Sequence, residues 1–255
     1  MKICVLLPLT ISVFFLTTTA LASNNVNQLK SNLVGENFIK VQVQQSQTIG
    51  KAIKAMIGHY PQQAVPIIST ALDLYPKQYK EIIDAAISTQ PTLSEQIVTI
   101  ALNKNINSLV SIVETAINAD PSYIDFVVTA AAHKSPEKIN EIVRIAVITE
   151  PESADYIVQS LAKEHPSKIV EILQTAIGAV PFVGEYVVEA LLAVFPNDAE
   201  IVITTAIRES GQEREYVKRI IKTAQNCGVD IEKLQRYAIS GGATVEEVSQ
   251  VLDNK

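Results

Sequence analysis

The sequence predicts an all-α protein: a stacked array of short antiparallel helices, each about twelve residues long. Three observations carry that expectation. Proline returns in one phase of fifteen, at Pro61, Pro76, Pro91, Pro121, Pro136, Pro151, Pro166, Pro181 and Pro196, while Ile106 and Gly211 hold the phase without it. Counted from the proline as position one, positions four, seven, eight, eleven and twelve are mostly apolar, as in 136–150, 151–165 and 166–180. That is the stripe of an amphipathic helix, and the period-two alternation of strands is missing. Every second unit from 121 onward also carries an aromatic residue at position six, which pairs the 15-residue units into 30-residue hairpins.

Residues 1–22 read as a secretory signal peptide. Lys2 supplies the positive start, Cys4 to Leu16 the apolar stretch, and Ala20 and Ala22 the small residues before a cut at Ser23. The expected address is therefore secreted or periplasmic. Residues 23–45 are rich in Asn, Gln and Ser and read as a polar leader or cap. Residues 46–60 fit the repeat frame without its proline, so the array is expected to span 46–225.

Within the array the proline has a physical role. At a first helical position its missing N–H costs nothing, and its fixed φ suits the helix. It also pushes the preceding residue out of the α region, so it ends one helix as it starts the next. A turn of about three residues then makes successive helices antiparallel neighbours. Asp120 and Ser135, each just before a proline, are N-cap candidates. The stretch Ala176 to Phe195 is the most apolar, with only Glu185 and Glu189 charged. Pro181 and Gly184 lie inside it, so it reads as a helix buried on more than one side rather than a membrane span; no transmembrane helix is expected after signal cleavage.

With its proline phase and hairpin period, the region from 46 to 225 resembles the α-solenoid proteins, the group that includes HEAT, armadillo and tetratricopeptide arrays. Fifteen residues per helix is shorter than those families use, and the chain has no Trp. The resemblance implies a curved array used for binding or assembly.

Residues 226–255 read as capping helices over the last repeat. Gly228 ends a helix, Asp230 caps the next, Gly241 and Gly242 form a hinge, and Thr244 to Glu247 is a capping box.

Composition narrows the function. Acidic residues outnumber basic ones, 27 to 21, and residues 23–60 hold four lysines (Lys30, Lys40, Lys51, Lys54) against Glu36 alone, so the body from Pro61 onward is more acidic still. Such a body repels phosphate backbones, and nucleic acid is not an expected partner. Cys227 is the one cysteine outside the signal, either a buried small hydrophobe or a thiol able to join two chains. His59, His133 and His165 fall near helix C-termini, where the dipole favours a cation; His133 and His165 share one edge, which leaves a weak metal site open. No nucleophile motif, phosphate loop or metal-ligand spacing is present, so no enzyme activity, catalytic residue, cofactor or metal is expected.

The expected function is a non-catalytic scaffold for protein–protein interaction or self-assembly. The alternative is a carrier that holds an apolar small molecule or lipid in the solenoid groove. The candidate partner-binding stripe is Phe126, Tyr156, Tyr186 and Tyr216, widened by Phe182 and flanked by Asp125, Asp155, Glu185 and Glu215. Position six lies about 160° around the helix from the centre of the apolar stripe. These rings either fill gaps between laterally packed helices or form a ladder offered to a partner.

The hairpin period makes a testable prediction. Deleting 151–180, a whole hairpin, should leave a folded, shorter array that melts cooperatively by circular dichroism. Deleting 151–165 reverses every later helix and should abolish that transition; equal tolerance of the two deletions would contradict a 30-residue unit.

Overall fold

The computed structural model describes residues 35–211 and 213–253; the signal segment and most of the polar leader lie outside them. The described residues are α-helices and short 3-10 turns, without a strand. In chain order the helices are α1 (35–45), α2 (Ile49–His59), α3 (Ala64–Leu74), α4 (Tyr79–Thr89), α5 (Ser94–Asn103), α6 (Leu109–Ala119), α7 (Ile124–Lys134) and α8 (Ile139–Thr149). They continue as α9 (Ala154–Glu164), α10 (Ile169–Ala179), α11 (Gly184–Val194), α12 (Ala199–Glu209), α13 (Arg214–Asn226), α14 (Ile231–Gly241) and α15 (Val245–Asp253).

The proline acts one step differently from the expectation. Each of the nine in-phase prolines opens a three-residue 3-10 turn, and the α-helix starts at position four. The helix then runs to position fourteen, beyond the expected end near twelve. The break between units is a single residue at position fifteen. His165 is typical: its N–H donates to Leu161 O at 2.9 Å, closing α9, and its own carbonyl accepts from Lys168 N at 2.9 Å, closing the next turn. Its φ of -129° and ψ of 65° are the extended geometry that a following proline imposes. Where the phase lacks proline the 3-10 turn is lost. Thr48 and Ser108 stand at position three of such units and cap α2 and α6 instead, accepting from Lys51 N and Ser111 N. Asp120 caps as expected, accepting from Ser122 N. Ser135, in the same backbone turn, makes no side-chain cap bond.

Hydrogen bonds between helices define the stacking. The start of α4 meets the start of α6 through Tyr79 Oη and Ser111 Oγ, 2.5 Å apart. The ends of α7 and α9 meet through His133 Nε2 and Glu164 Oε2 at 3.2 Å. Helices two apart are therefore parallel neighbours, and the one between must carry the chain back, antiparallel to both. The result is two layers: the even-numbered helices stack on one another and the odd-numbered helices do the same. This is an all-α solenoid of 30-residue hairpins.

The core lies between the layers. Ala154, Ile157, Val158, Leu161 and Ala162 of α9 are buried, and so are Ile169, Ile172, Leu173, Ala176 and Ile177 of α10. These are positions four, seven, eight, eleven and twelve. An eleven-residue helix is not stable alone in water; burial of each large aliphatic side chain contributes about 1.5–3 kcal/mol, and only the stack supplies it. Position eleven is alanine in many units, including Ala71, Ala86, Ala101, Ala116, Ala131 and Ala146, all fully buried. A small side chain there lets neighbouring helices approach closely.

The regular stripe ends at α12. Helix α13 buries Val217, Ile220, Ile221 and Ala224, which are positions seven, ten, eleven and fourteen, while Lys222 at position twelve is exposed. The helix has turned about its axis to meet the terminal helices. Gly228, at φ 81°, ends α13, and Asp230 caps α14 by accepting from Lys233 N at 3.1 Å. The glycine pair is not a hinge. Gly241 is pressed against α12: a Cβ there would lie 2.8 Å from Ile207 Cβ and 2.9 Å from Thr204 O. Gly242, at φ 102°, is the left-handed cap of α14.

The capping box forms as read from the sequence. Glu247 N donates to Thr244 Oγ1 at 3.2 Å, and Thr244 N donates to Glu247 Oε2 at 2.8 Å. Arg214 of α13 also grips Glu247 with Nε, at 2.5 Å, and Nη2. The hydrogen bonds from Arg214, helped by Thr244 N–H, hold the Glu247 carboxyl down at about 2, against an ordinary 4.5. A carboxyl depressed in the folded state stabilises above its ordinary pKa and loses that contribution as pH falls toward its folded value. The difference in urea midpoint between wild type and Glu247→Gln should therefore be full above about pH 5 and shrink toward zero near pH 2. A difference independent of pH would show that this carboxylate does not clamp the C-terminal helices.

Candidate binding surface

The aromatic row sits on the outer face of the odd layer. Position six faces away from the seam because the apolar stripe faces the even layer. Phe126 on α7, Tyr156 on α9 and Tyr186 on α11 are 46%, 62% and 51% exposed, and Phe182, in the turn before α11, is 43% exposed. Because these helices are parallel stacked neighbours, the rings occupy equivalent places on successive helices. Tyr123 extends the patch, its ring 5.8 Å from that of Phe126. Spacing alone picks out position six and misses Tyr123, which sits at position three and joins only because the 3-10 turn continues into α7.

Tyr216 stands apart. It is half-buried, because the rotation of α13 brings position six to roughly 90° from the buried stripe rather than about 160°. The position-five acids differ as well. Asp125, Asp155 and Glu185 are half-buried, and Glu215 is exposed. Glu185 pairs with Arg219 at 3.5 Å, and Glu215 with Lys218 at 3.1 Å.

Between α9 and α11 the surface dips into a groove of about 290 Å³, lined by Asp155, Tyr156, Gln159, Tyr186, Glu189 and Ala190. A comparable furrow of about 360 Å³ between α4 and α6, in the other layer, is lined by Lys80, Glu81, Asp84 and Glu114, without a ring. The layers thus differ in chemistry: rings with carboxylates on one, mixed charges on the other. Helix α11 packs against α9, α12 and α13 and is buried on more than one side, while Phe182 in the turn before it and Tyr186 on its outer side reach solvent.

Cys227 is exposed rather than buried. It caps the rotated α13, past the end of the regular stripe. Partial desolvation of its sulfur by neighbouring atoms, with the charge of Glu189, pushes its pKa up, so it stays a thiol at neutral pH. His133 Nε2 pairs with Glu164 Oε2, and His165 Nε2 is buried without a hydrogen-bond partner. Among the described residues, no three His, Cys, Asp or Glu side chains converge as metal ligands would, and no helix is long and apolar enough to cross a membrane. Comparison with known proteins finds no matching family, no similar curated protein and no similar solved structure.

Rings this exposed carry little of the packing energy. Replacing Tyr156 and Tyr186 together by Ser should lower the melting temperature by no more than about 4 °C, the shift that about 1 kcal/mol gives in a chain of this size. A fully buried aromatic truncation costs about 3–5 kcal/mol. A drop on that scale would assign the rings to packing.

Proposed function

We propose that this protein is a secreted or periplasmic helical-repeat scaffold whose aromatic row docks a protein partner or a second copy, without catalysis. The observation that carries this reading is the exposure of Phe126, Tyr156 and Tyr186 at equivalent places on alternate helices of one layer, with Phe182 exposed beside them. Aromatic rings with polar tips supply large contact area at low entropic cost, which is why they concentrate in interfaces. The acidic composition supports a polypeptide rather than a nucleic acid as the partner. The signal-like segment at 1–22 supports export. The α9–α11 groove is short and rimmed by Asp155, Gln159 and Glu189, which favours a contact surface over a carrier's continuous apolar cavity.

Site-specific photo-crosslinking in the native envelope tests the reading. A photo-reactive residue at 156 or 186 should give discrete adducts, while the same residue at 144, on the opposite layer, should give none above background. Adducts from 144 alone, or from no position, would overturn the row as the docking surface. Native mass spectrometry that found a retained lipid would instead support the carrier.

A further inference from the structure

The proposed docking row is not uniform, and the difference between neighbouring helix pairs indicates what it receives. Near the starts of α11 and α13 the chain supplies its own cation between the two helices. Arg219, position nine of α13, sets its guanidinium 3.5 Å from Glu185 Oε1 and 6.0 Å from the centre of the Tyr216 ring. Glu185 is position five of α11, and Tyr216 is position six of α13. Acid and ring thus come from adjacent stacked helices, and a cation closes the space between them. The carboxylate and the negative face of the ring both favour a guanidinium there.

One hairpin earlier the acid and the ring recur. Asp155 is position five of α9, Tyr186 is position six of α11, and both line the groove between the two helices. The cation does not recur. Position nine of α11 is Glu189, which lines the same groove and adds a second negative charge. Asp155 Oδ1 is buried and has no hydrogen-bond partner. Among the described residues, neither Asp155 nor Glu189 lies within ion-pair distance of a basic side chain. A carboxylate oxygen removed from water without a partner is unfavourable, and an incoming donor with positive charge satisfies it.

The geometry points to a cation-binding groove between α9 and α11 that takes the guanidinium or ammonium of a basic segment in a partner polypeptide. The inference rests on the reading of the aromatic row as a docking surface and names the chemistry of what docks. The incoming side chain supplies at this pair what Arg219 supplies at the next. Arginine suits the groove better than lysine, because its planar head stacks on a tyrosine face while it forks toward a carboxylate.

Fluorescence anisotropy with labelled octa-arginine tests this on the whole exported chain. Tyr186→Ser leaves the charge unaltered and should weaken binding about fivefold, the loss of one cation–ring contact. Glu189→Arg puts a cation of the chain's own into the lining of this groove and should weaken binding about tenfold or more. Glu114→Arg makes the same charge change in the ringless furrow of the other layer and should alter binding less than about twofold, the effect of a distant, screened charge. Thermal melts of the three variants confirm that each is folded. Absence of octa-arginine binding to the wild type overturns the inference. So does a Tyr186→Ser variant that binds as tightly as the wild type, or a Glu114→Arg variant that weakens as much as Glu189→Arg. Crosslinks at 156 and 186 without octa-arginine binding would remove the cation groove and leave the docking row. Binding without crosslinks would do the reverse.

Discussion

One backbone residue per unit holds this architecture together. At position fifteen a single N–H closes the outgoing helix and the same residue's carbonyl opens the incoming 3-10 turn, as at His165. Proline at the next position keeps that residue extended and forfeits no hydrogen bond, because its own nitrogen would have been unpaired. The junction is set by backbone geometry, so the side chain at position fifteen is free to vary: Tyr75, Gln90, Glu150, Val180 and Phe195 all serve. Three residues of turn and eleven of helix then leave no slack, and every unit arrives at its neighbour in the same register.

That constraint sets everything stacked on it. Equal units bring positions four, seven, eight, eleven and twelve to one seam, and alanine at position eleven lets the layers close. The same regularity also aligns the residues that face outward. A residue type repeated every thirty positions becomes a row on one layer, which is how three separate aromatic residues come to share one surface. The row's polarity follows likewise, since position-five carboxylates accompany position-six rings. Where the regularity fails, at the proline-free Gly211, α13 rotates, Tyr216 turns partly inward, and Arg219 enters the space that Glu189 occupies one hairpin earlier. The proposed cation groove thus differs from the next helix pair in two ways, the residue at position nine and the rotation of α13.

Much of this was legible in the sequence. The 15-residue phase, the apolar stripe, the hairpin period, the Asp120 cap and the Thr244–Glu247 box are all local or periodic features, and the structure contains each of them. The outward direction of position six followed from helical angle alone. The 3-10 turn was not legible, because proline suits the first position of either helix type and only the hydrogen bonds distinguish them. Ser135 looked like Asp120 in the sequence, yet it does not cap.

By itself the sequence determined the unit: its length of fifteen residues, which face is apolar, and which residues point away. Those properties depend on the chain's own geometry over fewer than about fifteen residues. The tertiary structure decided which helices touch and how far the frame persists. It turned α13 to meet α15, where Arg214 grips Glu247. It also placed Asp155 beside Tyr186 and Glu189, thirty-odd residues away. Such pairings arise only when separate helices compete to bury their faces against one another, and no single unit encodes the outcome of that competition.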